Sequence, residues 1–158
     1  MKNSRLLLLL VTLACAGLLA FALYLQVVER MAPCPWCIIQ RYAFVVIGLT
    51  CLIFAFMPAG TASVGAGFGC MIALAGAAAA GWHVWIKAHP ETSCGIDPVE
   101  TSLNRIPTAD LFPLLFKADG LCTTPYDPIL GLSIPQWALA WFLLFALLLG
   151  TIALRRAR

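Results

Sequence analysis

Cys34 and Cys37 form the cysteine pair whose spacing points most directly to chemistry. They lie in the stretch APCPWCIIQRYAF, residues 32–44, with a proline and a tryptophan between them. A disulfide across so short a ring adds little chain-entropy stabilisation, because that contribution grows with loop length. A dithiol at this spacing suits thiol–disulfide exchange instead, and such motifs commonly carry a thiol of lowered pKa. We therefore expect a redox centre here.

Seven cysteines occur in the chain, and they divide by location. Cys15, Cys51 and Cys70 fall within apolar runs, where cysteine behaves as a small hydrophobic residue. Cys94 and Cys122 lie in a long loop that also contains prolines and charges. A crosslink between these two could be structural or redox-active on spacing alone. With the Cys-x-x-Cys pair they make four loop cysteines, which on an oxidising face predict two disulfides.

Metal and haem sites are the alternatives for these four cysteines. A four-cysteine zinc site usually has a second close pair, and Cys94 with Cys122 is not one. Covalent haem attachment needs a histidine after the second cysteine, where Ile38 stands. The sequence therefore predicts no bound metal.

Arg41 is placed to act on Cys37. Because Pro35 suits the first turn of a helix, a helix starting inside CPWC sets Cys37 and Arg41 on one face. A guanidinium there, with the positive helix end, stabilises a Cys37 thiolate. A snorkelling interface anchor is the other interpretation of Arg41. A dithiol at a lipid boundary can pass electrons to a lipid-soluble quinone, ubiquinone or menaquinone, whose carbonyl Arg41 can bind.

Four apolar runs must position these residues: 6–28, 38–56, 64–86 and 135–154. Each is about 20 residues long, the length of a helix that crosses the hydrocarbon core of a bilayer. Composition agrees, with 62% hydrophobic and only 11% charged residues. We expect an all-α membrane protein, one domain over 1–158, built as a four-transmembrane-helix bundle with lipid as a partner. The net charge of +3, without a basic stripe, gives no indication of nucleic acid binding.

Charges predict the orientation of the bundle. Bases flank the first and last runs, whereas the long loop has six acids and three bases. By the positive-inside rule both termini are cytoplasmic. The links at about 29–37 and 87–134 then share the outer face, the periplasm of a bacterial inner membrane. The first run also resembles the start of a secretory signal, but its apolar stretch continues longer than that of a signal.

Small residues and a capping pattern predict how two of the spans are built. The third run has a residue of minimal size at every fourth position, which lets helices approach closely in lipid: Gly65, Gly69, Ala73, Ala77 and Gly81. In SIPQW, Ser133 and Gln136 fit a capping box at the start of the fourth span. Gln136 facing the bundle is the alternative.

Four features together resemble the bacterial disulfide bond formation protein family, DsbB. They are the four spans, CPWCIIQRYAF at the start of the second, the long outer loop with two cysteines, and LGLSIPQW before the fourth. The resemblance covers nearly the whole chain. It implies a membrane thiol–disulfide oxidoreductase that reoxidises a periplasmic thioredoxin-like oxidase of the DsbA type and passes the electrons to quinone.

The resemblance also implies a role for each candidate residue. Cys94 is attacked by the DsbA-like partner, Cys122 exchanges with Cys34, and Cys37 faces the quinone with help from Arg41. The segment LFPLLF, 111–116, resembles a loop piece that lies against the membrane. The resting pairing is open between Cys34–Cys37 with Cys94–Cys122, and an interloop Cys34–Cys122 form.

Two further residues and several rival functions stay open. His83 could contact the quinone or be an ordinary interfacial histidine. Gln40 stands where some family members carry glutamate. The rivals are a paralogue with a dedicated partner, a quinone reductase of the vitamin K epoxide reductase kind and a non-catalytic scaffold with two structural disulfides.

Overall fold

A computed structural model describes residues 2–58, 61–90 and 98–155 of the chain. Four long helices make up the bundle: α1 (Lys2–Val27), α2 (Pro35–Phe56), α3 (Ala62–Ala88) and α7 (Ile134–Arg155). Three short ones lie in the long loop: α4 (Pro98–Asn104), α5 (Pro107–Leu111) and α6 (Pro113–Phe116). All four long helices are long and apolar enough to cross a membrane. The prediction of an all-α protein with four membrane-spanning helices is confirmed.

Helix α2 begins inside the CPWC motif because Pro35 occupies its first turn. Cys34 precedes it in extended conformation and its carbonyl oxygen accepts a hydrogen bond of 3.1 Å from the Ile38 amide. The two cysteines of the motif therefore lie just before and within the first helical turn. We call this end of the bundle, where α2 and α7 begin and α1 and α3 end, the site end.

Helix α3 packs closely against α2 and α7 through its smallest residues. A Cβ added at Gly65 would lie 2.2 Å from the Phe54 ring of α2. One added at Gly76 would lie 2.5 Å from the Phe142 ring of α7. These short separations leave room for the glycine hydrogen atom but not for a methyl group. Such contacts are expected of helices that associate by close backbone approach in lipid.

The predicted stripe of small residues is correct along most of α3 and wrong at its last position. Gly65, Gly69, Ala73 and Ala77 are buried, whereas Gly81 is partly exposed and has no neighbour within 4 Å of an added Cβ. The buried face continues through Gly76, Ala80 and His83 instead. This face carries His83 into the bundle at the site end.

The start of α7 is capped as one of the two sequence interpretations expected. The exposed Gln136 side chain accepts hydrogen bonds from the Ser133 amide, at 2.8 Å, and from the Ser133 hydroxyl, at 3.0 Å. Gln136 therefore satisfies the residue before the helix and does not face the bundle.

The loop helices α4 to α6 pack on the outer side of α2 near the site end. Tyr42 of α2 stacks on Phe116, with ring centroids 4.3 Å apart, and its hydroxyl hydrogen-bonds Thr108. Asn104 closes the segment by exchanging two hydrogen bonds of 2.9 Å with the backbone of Ala118. These contacts fix the chain that leads from α4 to Cys122.

The segment 111–116 divides into an exposed and a buried side. Leu111, Phe112 and Leu114 are exposed, by 70%, 61% and 53%, whereas Phe116 is buried against α2. Three large exposed apolar side chains within four residues make an apolar surface of the kind that lies against a membrane. The lipid-facing loop piece that the resemblance implies has this composition and exposure.

Candidate functional site

The sulfur atoms of Cys34 and Cys37 face each other at the start of α2. Their Sγ atoms are 3.2 Å apart, and both residues are free thiols in this structure. Cys34 is buried and Cys37 is partly exposed. The geometry results from the helix start: the residue before Pro35 and the third residue of the helix turn their side chains to one side. A pair so close can form a disulfide with little movement.

Cys122 is brought to this pair by a backbone clamp. The Pro33 carbonyl oxygen accepts hydrogen bonds from the amides of Asp119 and Gly120, each 3.1 Å long. A Cβ added at Gly120 would lie 2.3 Å from the Ala32 carbonyl oxygen, so only glycine allows this approach. We call the contact between residues 32–33 and 119–120 the loop clamp. It places the buried Cys122 within hydrogen-bonding reach of Cys34.

Cys34 and Cys122 lie outside the membrane-spanning segments. The hydrogen bonds between the sulfur atoms shift the pKa values of these two thiols in opposite directions. The bond to Cys122, followed by the bond to Cys37, raises the pKa of the Cys34 thiol above its usual range. The bond from Cys34 lowers the pKa of Cys122, and the Trp36 backbone N–H donates to the same sulfur. Of these two thiols, Cys122 is therefore the one that loses its proton more readily, and the thiolate is the nucleophilic form of cysteine.

His83 completes the cluster from α3. Its Nε2 atom is 3.5 Å from Cys34 Sγ, and its Nδ1 atom is 3.3 Å from the side-chain nitrogen of Gln40. Both His83 and Gln40 are almost completely buried, at 3% and 5% exposed. A buried imidazole and a buried amide satisfy each other here, which accounts for a polar pair inside an apolar bundle.

Arg41 is buried beside the cluster and hydrogen-bonds two other segments of the chain. Its guanidinium donates to Gln26 Oε1 at 2.8 Å and to the carbonyl oxygens of Leu114 and Leu115 at 3.3 and 3.2 Å. A fourth bond, of 3.4 Å, reaches the Ala22 carbonyl oxygen of α1. Arg41 thus fastens α1 and the loop helix α6 to α2. In the described part of the chain none of these four bonds goes to a cysteine.

An apolar cavity of about 140 Å³ adjoins all of these groups. Leu18 and Leu25 of α1, Phe44 of α2 and Trp141 of α7 form much of its wall. Much of its polar lining comes from the cysteine cluster and its neighbours: Cys34, Cys37, Gln40, Arg41, His83, Lys87 and Cys122. An apolar cavity of about 150 Å³ is large enough to bind benzene, so one ring fits this space.

Five of the predicted site residues therefore meet in one place: Cys34, Cys37, Cys122, Arg41 and His83. Cys94, the sixth, lies outside the described residues. Sequence reasoning missed Gln26, the acceptor of the shortest Arg41 bond. A glutamine near the end of an otherwise apolar span was the available signal, since a polar side chain at that depth needs a partner.

A membrane bundle that brings three thiols together at the edge of an apolar cavity is the arrangement of a membrane thiol–disulfide oxidoreductase. Comparison with known proteins gives the same class. Residues 4–152 match the family model described as "Disulfide bond formation protein DsbB". "Disulfide bond formation protein B" of Herminiimonas arsenicoxydans is 62% identical over 99% of both chains.

Two other relatives show similar coverage. The protein of the same name from Ralstonia nicotianae is 46% identical over 99% of this chain and 98% of its own. "Disulfide bond formation protein B 1" of Pseudomonas syringae pv. syringae is 47% identical over 100% of this chain and 94% of its own. The chain belongs to the DsbB family, and it is a multi-pass membrane enzyme of disulfide bond formation.

Proposed function

We propose that the protein reoxidises a soluble thioredoxin-like dithiol oxidase of the DsbA type and passes the electrons to a quinone in the bacterial inner membrane. The observation that carries the proposal is the grouping of Cys34, Cys37 and Cys122, with Cys34 between the other two, at the wall of one apolar cavity. Three thiols in this order form a relay with an entrance in the loop and an exit in the membrane. The loops face the periplasm, in agreement with the charge bias of the sequence.

The first exchange takes place in the loop. A thiolate of the partner attacks Cys94, a partner–Cys94 disulfide forms, and the Cys94–Cys122 bond breaks with Cys122 leaving as thiolate. A thiol of low pKa is a good leaving group. The Trp36 backbone N–H, which donates to the Cys122 sulfur and lowers its pKa, therefore favours this step.

The second exchange takes place in the cluster. The Cys122 thiolate attacks Cys34, the Cys34–Cys122 bond forms, and the Cys34–Cys37 bond breaks to leave a Cys37 thiolate. The partner's second thiol then displaces Cys94 and departs oxidised. Cys94 in turn attacks Cys122, which restores their disulfide and leaves Cys34 and Cys37 reduced. The electron pair has moved from the partner to the CPWC motif.

The residues around the cavity fit a quinone, which when bound supplies an acceptor for two electrons and two protons. Cys37 lies at the wall of the cavity and delivers the electron pair as Cys34–Cys37 closes again. His83 touches Cys34 and can take its proton. Arg41 lines the same cavity and can donate from a guanidinium N–H that its four protein bonds leave over.

The test is quinone-dependent oxidation of a purified, reduced DsbA-type protein by the enzyme in detergent with a soluble ubiquinone analogue. We expect Cys37→Ser to abolish turnover. The matched control, Cys51→Ser, removes a buried span cysteine outside the cluster and should retain it. Undiminished turnover in Cys37→Ser contradicts the proposal, as does an equal loss in both variants.

A further inference from the structure

The cysteine cluster has a donor set that thiol exchange alone does not require. Exchange needs sulfur atoms, yet here an imidazole also points its Nε2 atom at Cys34, 3.5 Å from its sulfur. One donor atom each from Cys34, Cys37 and His83 lies within 4.8 Å of the other two. Cys122 is not part of this group of donor atoms. Two cysteines and one histidine, with a water at the fourth position, are a known zinc-binding set.

We propose that Cys34, Cys37 and His83 of the reduced protein bind a zinc ion, with a water at its fourth position. Binding is independent of the electron route proposed above, because it needs neither partner nor quinone. It is confined to the reduced protein, since the Cys34–Cys37 disulfide removes two ligands.

The distances suit a tetrahedral metal. With Zn–S of about 2.3 Å and Zn–N of about 2.0 Å, a tetrahedral site sets sulfur and nitrogen about 3.5 Å apart and two sulfurs about 3.8 Å apart. Cys34 Sγ and His83 Nε2 already lie 3.5 Å apart. The sulfurs of Cys34 and Cys37, at 3.2 Å, need to separate by roughly half an ångström. A side-chain torsion of the partly exposed Cys37 supplies that movement.

Gln40 provides the outer contact that a metal-binding histidine needs. A histidine that ligates through Nε2 carries its proton on Nδ1 and donates it to an oxygen. The Gln40 amide lies 3.3 Å from Nδ1, and rotating this amide by half a turn presents its oxygen there. Because both side chains are buried, few other groups can take that place.

The charge of the occupied site suits its apolar surroundings. Two thiols release two protons on binding, so Zn²⁺, two thiolates and a neutral imidazole carry no net charge. A site without net charge costs less free energy to bury beside an apolar cavity than a charged one. Bound zinc holds both thiols of the CPWC motif in the reduced form, so it opposes disulfide formation by the enzyme.

Cobalt chloride is the probe, added under anaerobic conditions to the full-length reduced protein in detergent. We expect one Co²⁺ per chain with the intense visible absorption of a tetrahedral thiolate site, and its displacement by Zn²⁺. Cys37→Ser and His83→Gln should each weaken Zn²⁺ binding at least tenfold. Gln40→Ala should weaken it about 10- to 100-fold. Cys70→Ser, a span cysteine outside the cluster, is the matched control and should bind as the unaltered protein does.

Several results overturn the proposal. One is a weak octahedral cobalt spectrum, and another is binding that survives oxidation of the protein by diamide. If the zinc affinity is unchanged in His83→Gln, the metal is bound by thiolates alone and His83 is not a ligand. Variants are compared by helical circular dichroism, so a misfolded protein is not scored. If the unaltered protein binds cobalt but shows no quinone turnover, the electron route is wrong and the proposed metal site is unaffected.

Discussion

Gly120→Ala tests whether the loop clamp positions Cys122, because it disturbs the clamp without changing any cysteine. The new Cβ would lie 2.3 Å from the Ala32 carbonyl oxygen, whereas real Cβ contacts are essentially never shorter than 3.0 Å. The obstacle is a backbone atom, which cannot rotate out of the way. The loop must therefore retreat by at least about 0.7 Å. Because the cysteines remain unchanged, only their approach is affected.

The size of the effect follows from the two hydrogen bonds in the clamp. Asp119 and Gly120 each donate to the Pro33 carbonyl oxygen at 3.1 Å. An intramolecular hydrogen bond contributes about 0.5–1.5 kcal/mol net. Loss of both bonds should therefore weaken the docking of the loop by about 1–3 kcal/mol. Since about 1.4 kcal/mol is a factor of ten, the docked population should fall about 5- to 150-fold relative to the undocked one.

The assay measures how readily Cys34 and Cys122 join. A background with Cys37→Ser and Cys94→Ser leaves these two as the loop cysteines, and glutathione buffers of graded redox ratio set the equilibrium. The fraction crosslinked is determined by gel shift with a maleimide-polyethylene glycol. Gly120→Ala should lower the effective concentration of one thiol at the other by about 5- to 150-fold.

Gly81→Ala in the same background is the control. It makes the same chemical change near the site end, but an added Cβ there has nothing within 4 Å. The control should crosslink as the parent does. An effective concentration that is unchanged in Gly120→Ala refutes the argument, because it shows that the clamp does not place Cys122.

Three further changes test other parts of the account. Arg41→Met should raise the apparent KM for a soluble ubiquinone analogue and lower the free energy of unfolding by about 1–3 kcal/mol, because partly buried carbonyl oxygens lose a charged donor. Cys34→Ala should move the thiolate titration of Cys122, followed by ultraviolet absorption in the reduced protein, to higher pH. The sign follows from the hydrogen bond, which lowers the pKa of Cys122 while Cys34 is present. Gly76→Ala should destabilise the bundle by about 1–3 kcal/mol in detergent unfolding, because its Cβ would lie 2.5 Å from a phenyl ring of α7.

Each of these changes has an outcome that contradicts its premise. Arg41→Lys keeps the positive charge. If both Arg41→Lys and Arg41→Met leave the KM for the quinone unaltered, Arg41 only links the helices by hydrogen bonds. A Cys122 titration that is unmoved in Cys34→Ala removes the hydrogen bond as the cause of the shift. Stability of Gly76→Ala equal to that of Gly81→Ala shows that the α3–α7 contact can relax around an extra methyl group.

The membrane fold was predictable because it depends on local composition. Backbone groups in lipid must bond within a helix, so apolar runs of sufficient length predict spans one by one. The start of α2 was predictable for a similar reason, since Pro35 fits the first turn. The register of the small-residue stripe failed at Gly81 because repetition at every fourth residue drifts around a helix of 3.6 residues per turn. Gly76 lies on the buried face instead.

The site was predictable in its cysteines and not in its surroundings. Cys34 and Cys37 are close in sequence, so their spacing indicated their chemistry. The partners of Arg41 and His83 come from other helices: Gln26, Gln40 and the carbonyl oxygens of α6. Such contacts leave no local pattern, because they depend on how the helices pack. The loop clamp is likewise a backbone contact between distant segments and has no motif of its own.

The most direct test of the electron route is disulfide mapping during a single turnover. The fully reduced enzyme is mixed anaerobically with one equivalent of a soluble ubiquinone analogue, quenched with an alkylating agent and mapped by mass spectrometry. The electron route predicts one Cys34–Cys37 disulfide for each quinone reduced, with Cys122 still a free thiol that the reagent alkylates. Quinone reduction without that disulfide, or a first disulfide between other cysteines, contradicts it.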